Sequence, residues 1–186
     1  LQGDRAFSTA VGSPREPLIA AGDDAGTVTL WNPNGTDSPT RIAVPEMPGI
    51  TTLAFSPGGN RLVVTCRLSS RIGIINVDTR TLERVVAASE SVTSASIDDA
   101  GGVLYTQVLA QPVLQVHPDG GTGEPIREVT AYKSVDPARS SGTIGVKRNA
   151  SGTRALVDRA TGYVLFDLER RRIVTTVEHA PVRSRA

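Results

Sequence analysis

An all-β fold built from repeated four-stranded antiparallel meanders is predicted by three features of this sequence. A unit of roughly forty residues recurs along the chain. Corners rich in Ser, Asp, Asn and Gly mark the first hairpin of each copy, and short apolar or alternating runs fall at matching places after them. One such sheet is marginal alone because both of its faces need cover, and stacking copies around a shared axis supplies that cover. About four units therefore predict a β-propeller, here expected to be part of a larger ring.

The clearest copy spans 45–89. Ile50–Cys66 supplies two strands around the corner Phe55-Ser-Pro-Gly-Gly59, Arg71–Arg80 a third strand with its turn, and Thr81–Ala87 a fourth. The first unit, 1–44, carries a longer version of the corner, Phe7–Pro14. It leads into the strand-like Pro17–Ala21, then Thr27–Asn32 and Thr40–Val44. A third unit occupies 90–141, with a corner at Ile97–Gly101, strands at Val113–His117 and Pro125–Thr130, and an inserted loop over 132–141. The fourth, 142–178, has its corner at Arg148–Gly152 and later strands at Tyr163–Asp167 and Arg172–Val177. Residues 179–186 read as the start of a further blade. With 18 Gly and 12 Pro, and no long window at helical spacing, a helical fold has little support.

Composition narrows the class. The 186 residues are 39% hydrophobic and 21% charged, ordinary values for a globular chain. Twenty basic against 19 acidic side chains leave +1, so no global field draws the chain to nucleic acid or anionic lipid, and neither is expected as a partner. Cys66, the single cysteine, excludes an internal disulfide and removes the thiolates of a usual structural zinc site. A reducing, cytoplasmic compartment is the expectation. No apolar run reaches the roughly 20 residues of a membrane span, so membrane insertion is not expected. The chain opens on Leu1 without a leader-like segment, and an upstream signal or anchor leaves export as the alternative. The excess of arginine over lysine, with abundant Ala, Gly and Val, suggests a GC-rich bacterial gene.

Two segments carry a family resemblance. Gly26-Thr-Val-Thr-Leu-Trp-Asn32 and Leu53-Ala-Phe-Ser-Pro-Gly-Gly59 resemble the paired signatures of WD40 repeats, and the likeness extends over nearly the whole chain. In the last two units Val116-His117 and Phe166-Asp167 stand at the Trp-Asp position. Ala21 and Ala25 fall where two members of the family's hydrogen-bonded tetrad would sit beside Trp31, so that brace is expected to be missing. The resemblance implies a non-enzymatic scaffold for protein–protein interaction, often joined to kinase or NTPase regions in a signalling or regulatory chain. The second unit, Arg61–Arg67 with Ile72–Val86, also resembles the YVTN-type propellers of bacterial surface and lactonase-like proteins. That likeness implies the alternative, an exported propeller that binds or hydrolyses a small molecule. A purely structural array is the third reading.

Candidate chemistry is sparse, and no catalytic, cofactor or metal residue is assigned. His117 and His179 lie in different units and form no paired-ligand motif; both read as turn residues. Asp23-Asp24 and Asp98-Asp99 sit before glycine in hairpin contexts, without the spacing of a calcium loop, and read as turns. Asp119–Glu124 has no Lys-Ser/Thr or helix after it, so it reads as a strand connection rather than a phosphate loop. Cys66, in the run Leu-Val-Val-Thr-Cys, reads as core filler, and Trp31 as a side chain packed between blades. Asn34 and Asn149 match glycosylation acceptors but belong to turns.

Topology gives a better functional clue. In an up-down meander, the loops joining strand two to three and strand four to the next strand one emerge on one rim. That rim is expected to display Asp23, Asp24, Arg67, Arg71, Arg159 and the long connection Tyr132–Ser141. Arginine and tyrosine combine contact area with directed hydrogen bonds, which suits a protein or peptide partner. The candidate partner-binding residues are therefore Arg67, Arg71, Tyr132, Lys133, Arg139 and Arg159. On the opposite rim, Arg170-Arg-Arg172 offers positive charge to phosphate or an acidic peptide.

Overall fold

A computed structural model describes residues 6–66, 69–88, 91–108, 113–117, 126–129, 145–149, 151–159 and 162–178. Among them, four antiparallel sheets follow one another, each ordered as the chain runs. The first holds β1 (Phe7–Gly12), β2 (Ile19–Asp23), β3 (Thr27–Trp31) and β4 (Thr40–Ala43). The second holds β5 (Ile50–Phe55), β6 (Arg61–Cys66), β7 (Arg71–Asn76) and β8 (Thr81–Ala87). The third has β9 (Val92–Ile97), β10 (Val103–Val108), β11 (Val113–His117) and β12 (Ile126–Val129). The fourth has β13 (Gly145–Arg148), β14 (Arg154–Arg159), β15 (Gly162–Asp167) and β16 (Arg172–Glu178).

Local chemistry explains why the same corner recurs. Ser56, Asp98 and Asn149 open the first hairpins of the last three sheets. Each donates its backbone N–H across the turn, to the carbonyls of Arg61 (2.9 Å), Gly102 (3.0 Å) and Arg154 (3.0 Å). Three residues later comes Gly59, Gly101 or Gly152, at φ 75°, 93° and 72°, a region that a residue with a Cβ avoids. The opening side chain then accepts a second backbone bond: Arg61 N to Ser56 Oγ (3.2 Å), Gly102 N to Asp98 Oδ1 (2.7 Å), Arg154 N to Asn149 Oδ1 (2.8 Å). Ser, Asp and Asn interchange here because each offers a short-armed acceptor oxygen.

In the first unit the corner lies elsewhere than expected. Ser13 N donates to Leu18 O (2.8 Å), while Phe7–Gly12 is the strand β1, paired with β2 from Phe7↔Asp23 to Gly12↔Ile19. Phe7-Ser8 imitates the start of Phe-Ser-Pro, but the Pro belongs to Ser13-Pro14, and the turn forms there.

The turns from third to fourth strand follow a similar rule. Asn76 Oδ1 accepts Thr79 N (3.0 Å) and Asp167 Oδ1 accepts Arg170 N (2.9 Å); Asn32 Oδ1 accepts Asn34 N (2.9 Å). The Asp or Asn that follows the third-strand hydrophobes is thus a turn cap.

Alternation along the strands divides each sheet into two apolar faces, and consecutive sheets share them. Ala20, Val28, Leu30 and Ile42 of the first sheet pack with Leu53, Leu62, Val64, Cys66 and Ile75 of the second. The other face of the second sheet, Val63, Ile72 and Ile74, packs with Ala95, Ile97, Val103 and Tyr105 of the third. Leu104 then joins Val146, Ala155, Val157, Val164 and Phe166 of the fourth. Each fully buried Leu, Ile or Phe contributes about 1.5–3 kcal/mol through removal from water, so these interfaces are where the fold is held. The first strands β1, β5, β9 and β13 adjoin in succession, whereas β8 is largely exposed and β16 wholly so, as expected of a radial fan. Approach is close near its axis: a Cβ on Gly22 would stand 2.5 Å from Ile50 Cγ2.

Trp31 is half-buried at the end of β3 and pairs with Ile19, on the face of the first sheet turned away from the second. One-residue alternation decides this, because Leu30 takes the inter-sheet position.

Candidate interaction rims

The meander order sends the β1–β2 and β3–β4 turns, with their counterparts in the other sheets, to one rim and the remaining connections to the other. On the latter rim, Asp23 is buried and its Oδ1 accepts Ala25 N and Thr27 N, both at 2.9 Å, which closes the β2–β3 turn. Asp24 is exposed, and its carbonyl accepts Gly49 N (2.9 Å) from the link to the second sheet. Both are turn residues, as their hairpin context predicts. Gly26, at φ 82°, presses its Cα against that link: a Cβ would lie 2.7 Å from Met47 O.

Arg71, at the start of β7, meets Glu46 from the link at 2.5 Å; both side chains are largely exposed. A pair so open to solvent adds little to stability, so both groups are available to a partner at small cost to the fold. Arg159 is the last residue of β14 and pairs in register with Gly162, which puts it at the β14–β15 turn of this rim. Arg67, Tyr132, Lys133 and Arg139 lie outside the described residues, as do the rest of the 132–141 loop, His179 and the Asp119–Glu124 segment. His117 ends β11 opposite Tyr105, so it belongs to a strand rather than a turn.

The corner rim holds more interlocking than the sequence suggested. Asp99 Oδ1 accepts Gly58 N (2.8 Å) from the neighbouring corner, and the Arg61 guanidinium reaches the Asp99 carbonyl. Arg84 donates to Gly101 O (2.6 Å). Arg148, almost fully buried, pairs with Asp98, whose other oxygen accepts Ala100 N (3.0 Å) and Gly102 N (2.7 Å). Asp98-Asp99 is therefore both a turn and a clasp between sheets. Arg170, from the basic run on this rim, lies 3.8 Å from Asp167.

Between the first and second sheets the corner rim opens into a cleft of about 190 Å³, lined by Glu16, Pro17, Leu18, Asn32, Val77, Asp78 and Arg80. Leu18 and Val77 form a buried floor. Asp78 pairs with Arg15 at 3.4 Å, and Arg80, held at φ 55°, donates to Thr40 Oγ1 (3.0 Å). Sequence reasoning missed this cleft because its residues come from three turns spread over two sheets; the repeated cap position of Asn32 and Asn76 was the available signal.

Cys66 is buried in the apolar interface of the first two sheets, the core role expected of it. Among the described residues, no group of three or more His, Cys, Asp or Glu side chains is placed to hold a metal ion. No described helix is long and apolar enough to cross a membrane.

No protein-family model matches the chain, and no curated protein sequence matches it. Among solved structures, the Myceliophteria thermophila Cps50 (Swd1) β-propeller domain superposes with a TM-score of 0.69 at 18% identity, over 96% of this chain. The chain spans 59% of that domain's length. Four consecutive meanders sharing their faces, with first strands adjoining and last strands outward, give this chain the fold of β-propeller blades.

Proposed function

We propose that the chain is a non-enzymatic protein-interaction scaffold, the propeller region of a larger bacterial signalling or regulatory protein, working in the cytoplasm and presenting its rims to a protein or peptide. One observation carries the reading: the facing sides of consecutive sheets are consumed by packing against one another, while charged side chains stand on the rims. A rigid stack with variable loops at its ends is a common platform for recognition. Arg71 and Glu46, engaged only in an exposed pair, are available to such a partner, and Arg67, Tyr132, Lys133, Arg139 and Arg159 are assigned to the same surface.

The test is affinity capture with the chain and with a variant in which Arg67, Tyr132 and Arg139 are all replaced by Ala. Loss of the captured partner with an unchanged thermal transition is the expected result. Identical capture by both proteins refutes the assignment of this rim.

A further inference from the structure

The cleft between the first and second sheets lies on the corner rim, opposite the Arg71 rim assigned above, and its floor breaks a repeat. The carbonyls of Leu18, Arg61, Gly102 and Arg154 each accept the backbone N–H that opens the first hairpin of their sheet, so these four residues hold equivalent places. Arginine stands there in the second and fourth sheets. Arg61 spans Glu83 of its own sheet (3.1 Å) and the Asp99 carbonyl of the next, so its guanidinium lies at the boundary between two sheets. Leu18 is buried and brings no such group, and the space beside it stays open at about 190 Å³.

The lining suits a guanidinium from outside. Glu16 is exposed and pairs with no cation among the described residues. Asp78 meets Arg15 at 3.4 Å, but both side chains are more than half exposed, and so open a pair exchanges at little cost. Arg80, the one lining cation, donates to Thr40 Oγ1 (3.0 Å), which leaves two carboxylates in the cleft against one guanidinium. Leu18 and Val77 give the methylenes of a long side chain an apolar bed. The volume is well below the about 300–1,000 Å³ of small-molecule sites, which favours a single side chain over a whole metabolite. A planar fork with five N–H donors can serve carboxylates on two turns at once, as the compact head of lysine does not. We propose that this cleft binds an arginine side chain from a peptide segment of a partner protein, received in trans at the place that Arg61 fills in cis one sheet further on.

Titration of the isotope-labelled full chain with the end-capped pentapeptide Gly-Ala-Arg-Ala-Gly, followed through backbone amide NMR shifts, tests this. Saturable shifts centred on Leu18, Asn32, Val77 and Asp78 are expected. The citrulline counterpart keeps the shape but not the charge and should bind about tenfold or more weakly, with the lysine counterpart between the two. Glu16→Gln and Asp78→Asn should each weaken the arginine peptide about threefold to tenfold; both positions are exposed, and thermal unfolding checks that each variant is folded. The triple alanine variant of the other rim should bind the peptide unchanged, so either assignment can fail without the other. Equal binding of the citrulline peptide, shifts confined to the Arg71 rim, or no saturation at millimolar arginine peptide would overturn the proposal. So would tighter binding of Gly-Ala-Glu-Ala-Gly, which would make Arg80 the reading group.

Discussion

Asp98 separates the two roles of a corner carboxylate. Its Oδ1 accepts Ala100 N and Gly102 N, which close the third sheet's first turn, and Oδ2 meets Arg148 of the fourth sheet. Asp98→Ala removes all three interactions. Bonds to a charged acceptor are worth about 1.5–3 kcal/mol each when well shielded, but the Asp98 side chain is 31% exposed, so about 1 kcal/mol apiece is the better figure. The expected loss is about 3 kcal/mol. Asp98→Asn keeps Oδ1 for the turn and removes only the charge, for about 1 kcal/mol. For a chain of this length, each kcal/mol moves Tm by about 2–4 °C, giving shifts of about 6–12 °C and 2–4 °C. Calorimetry of both variants, and of each combined with Arg148→Met, reads the two contributions separately. Equal losses for Ala and Asn would refute the turn contribution, and additive effects of Asp98→Asn and Arg148→Met would refute the clasp.

Phe166→Ala empties a fully buried position between the third and fourth sheets and should cost about 3–5 kcal/mol in urea unfolding; a loss below about 1 kcal/mol would show that this interface is not packed as described. Gly26→Ala forces a Cβ into positive φ and against Met47 O, and should lower Tm markedly, whereas Gly49→Ala, also at positive φ but with open space around it, should cost only about 1 kcal/mol. Burial raises the Tyr105 phenol above the ordinary tyrosine value of about 10. The folded state therefore favours the neutral form: that contribution is intact below about pH 10 and is lost as pH rises through the folded value, where the unfolded chain ionises first. Absorbance titration of phenolate should show Tyr105 ionising above the ordinary tyrosine value, and Tyr105→Phe should flatten the alkaline loss of stability. Arg71→Ala should change Tm by no more than a degree or two, because its pair with Glu46 is open to solvent.

Much of the architecture was legible because it is encoded locally. The third strand Val113–His117 and the fourth strand Thr81–Ala87 lie where their patterns placed them, and the Gly59, Gly101 and Gly152 corners form as their turn chemistry requires. The Phe7 corner was misplaced because a Phe-Ser pair is an ambiguous local signal; only pairing with β2 shows that Ser13 makes the turn. Trp31 lies on the face turned away from the second sheet for a related reason: a single residue of register exchanges the two sides of a strand, and its neighbour Leu30 is as apolar as it is.

The chain's own residue order was enough to settle repetition, strand content and the Gly59, Gly101 and Gly152 turns, since each depends on residues within a few places of one another. Tertiary structure alone decided which faces meet, that Arg148 reaches back to Asp98, that Glu16 and Arg80 share a cleft, and that β16 is left bare. Those facts depend on distance in space between segments far apart along the chain, and no local propensity measures that distance.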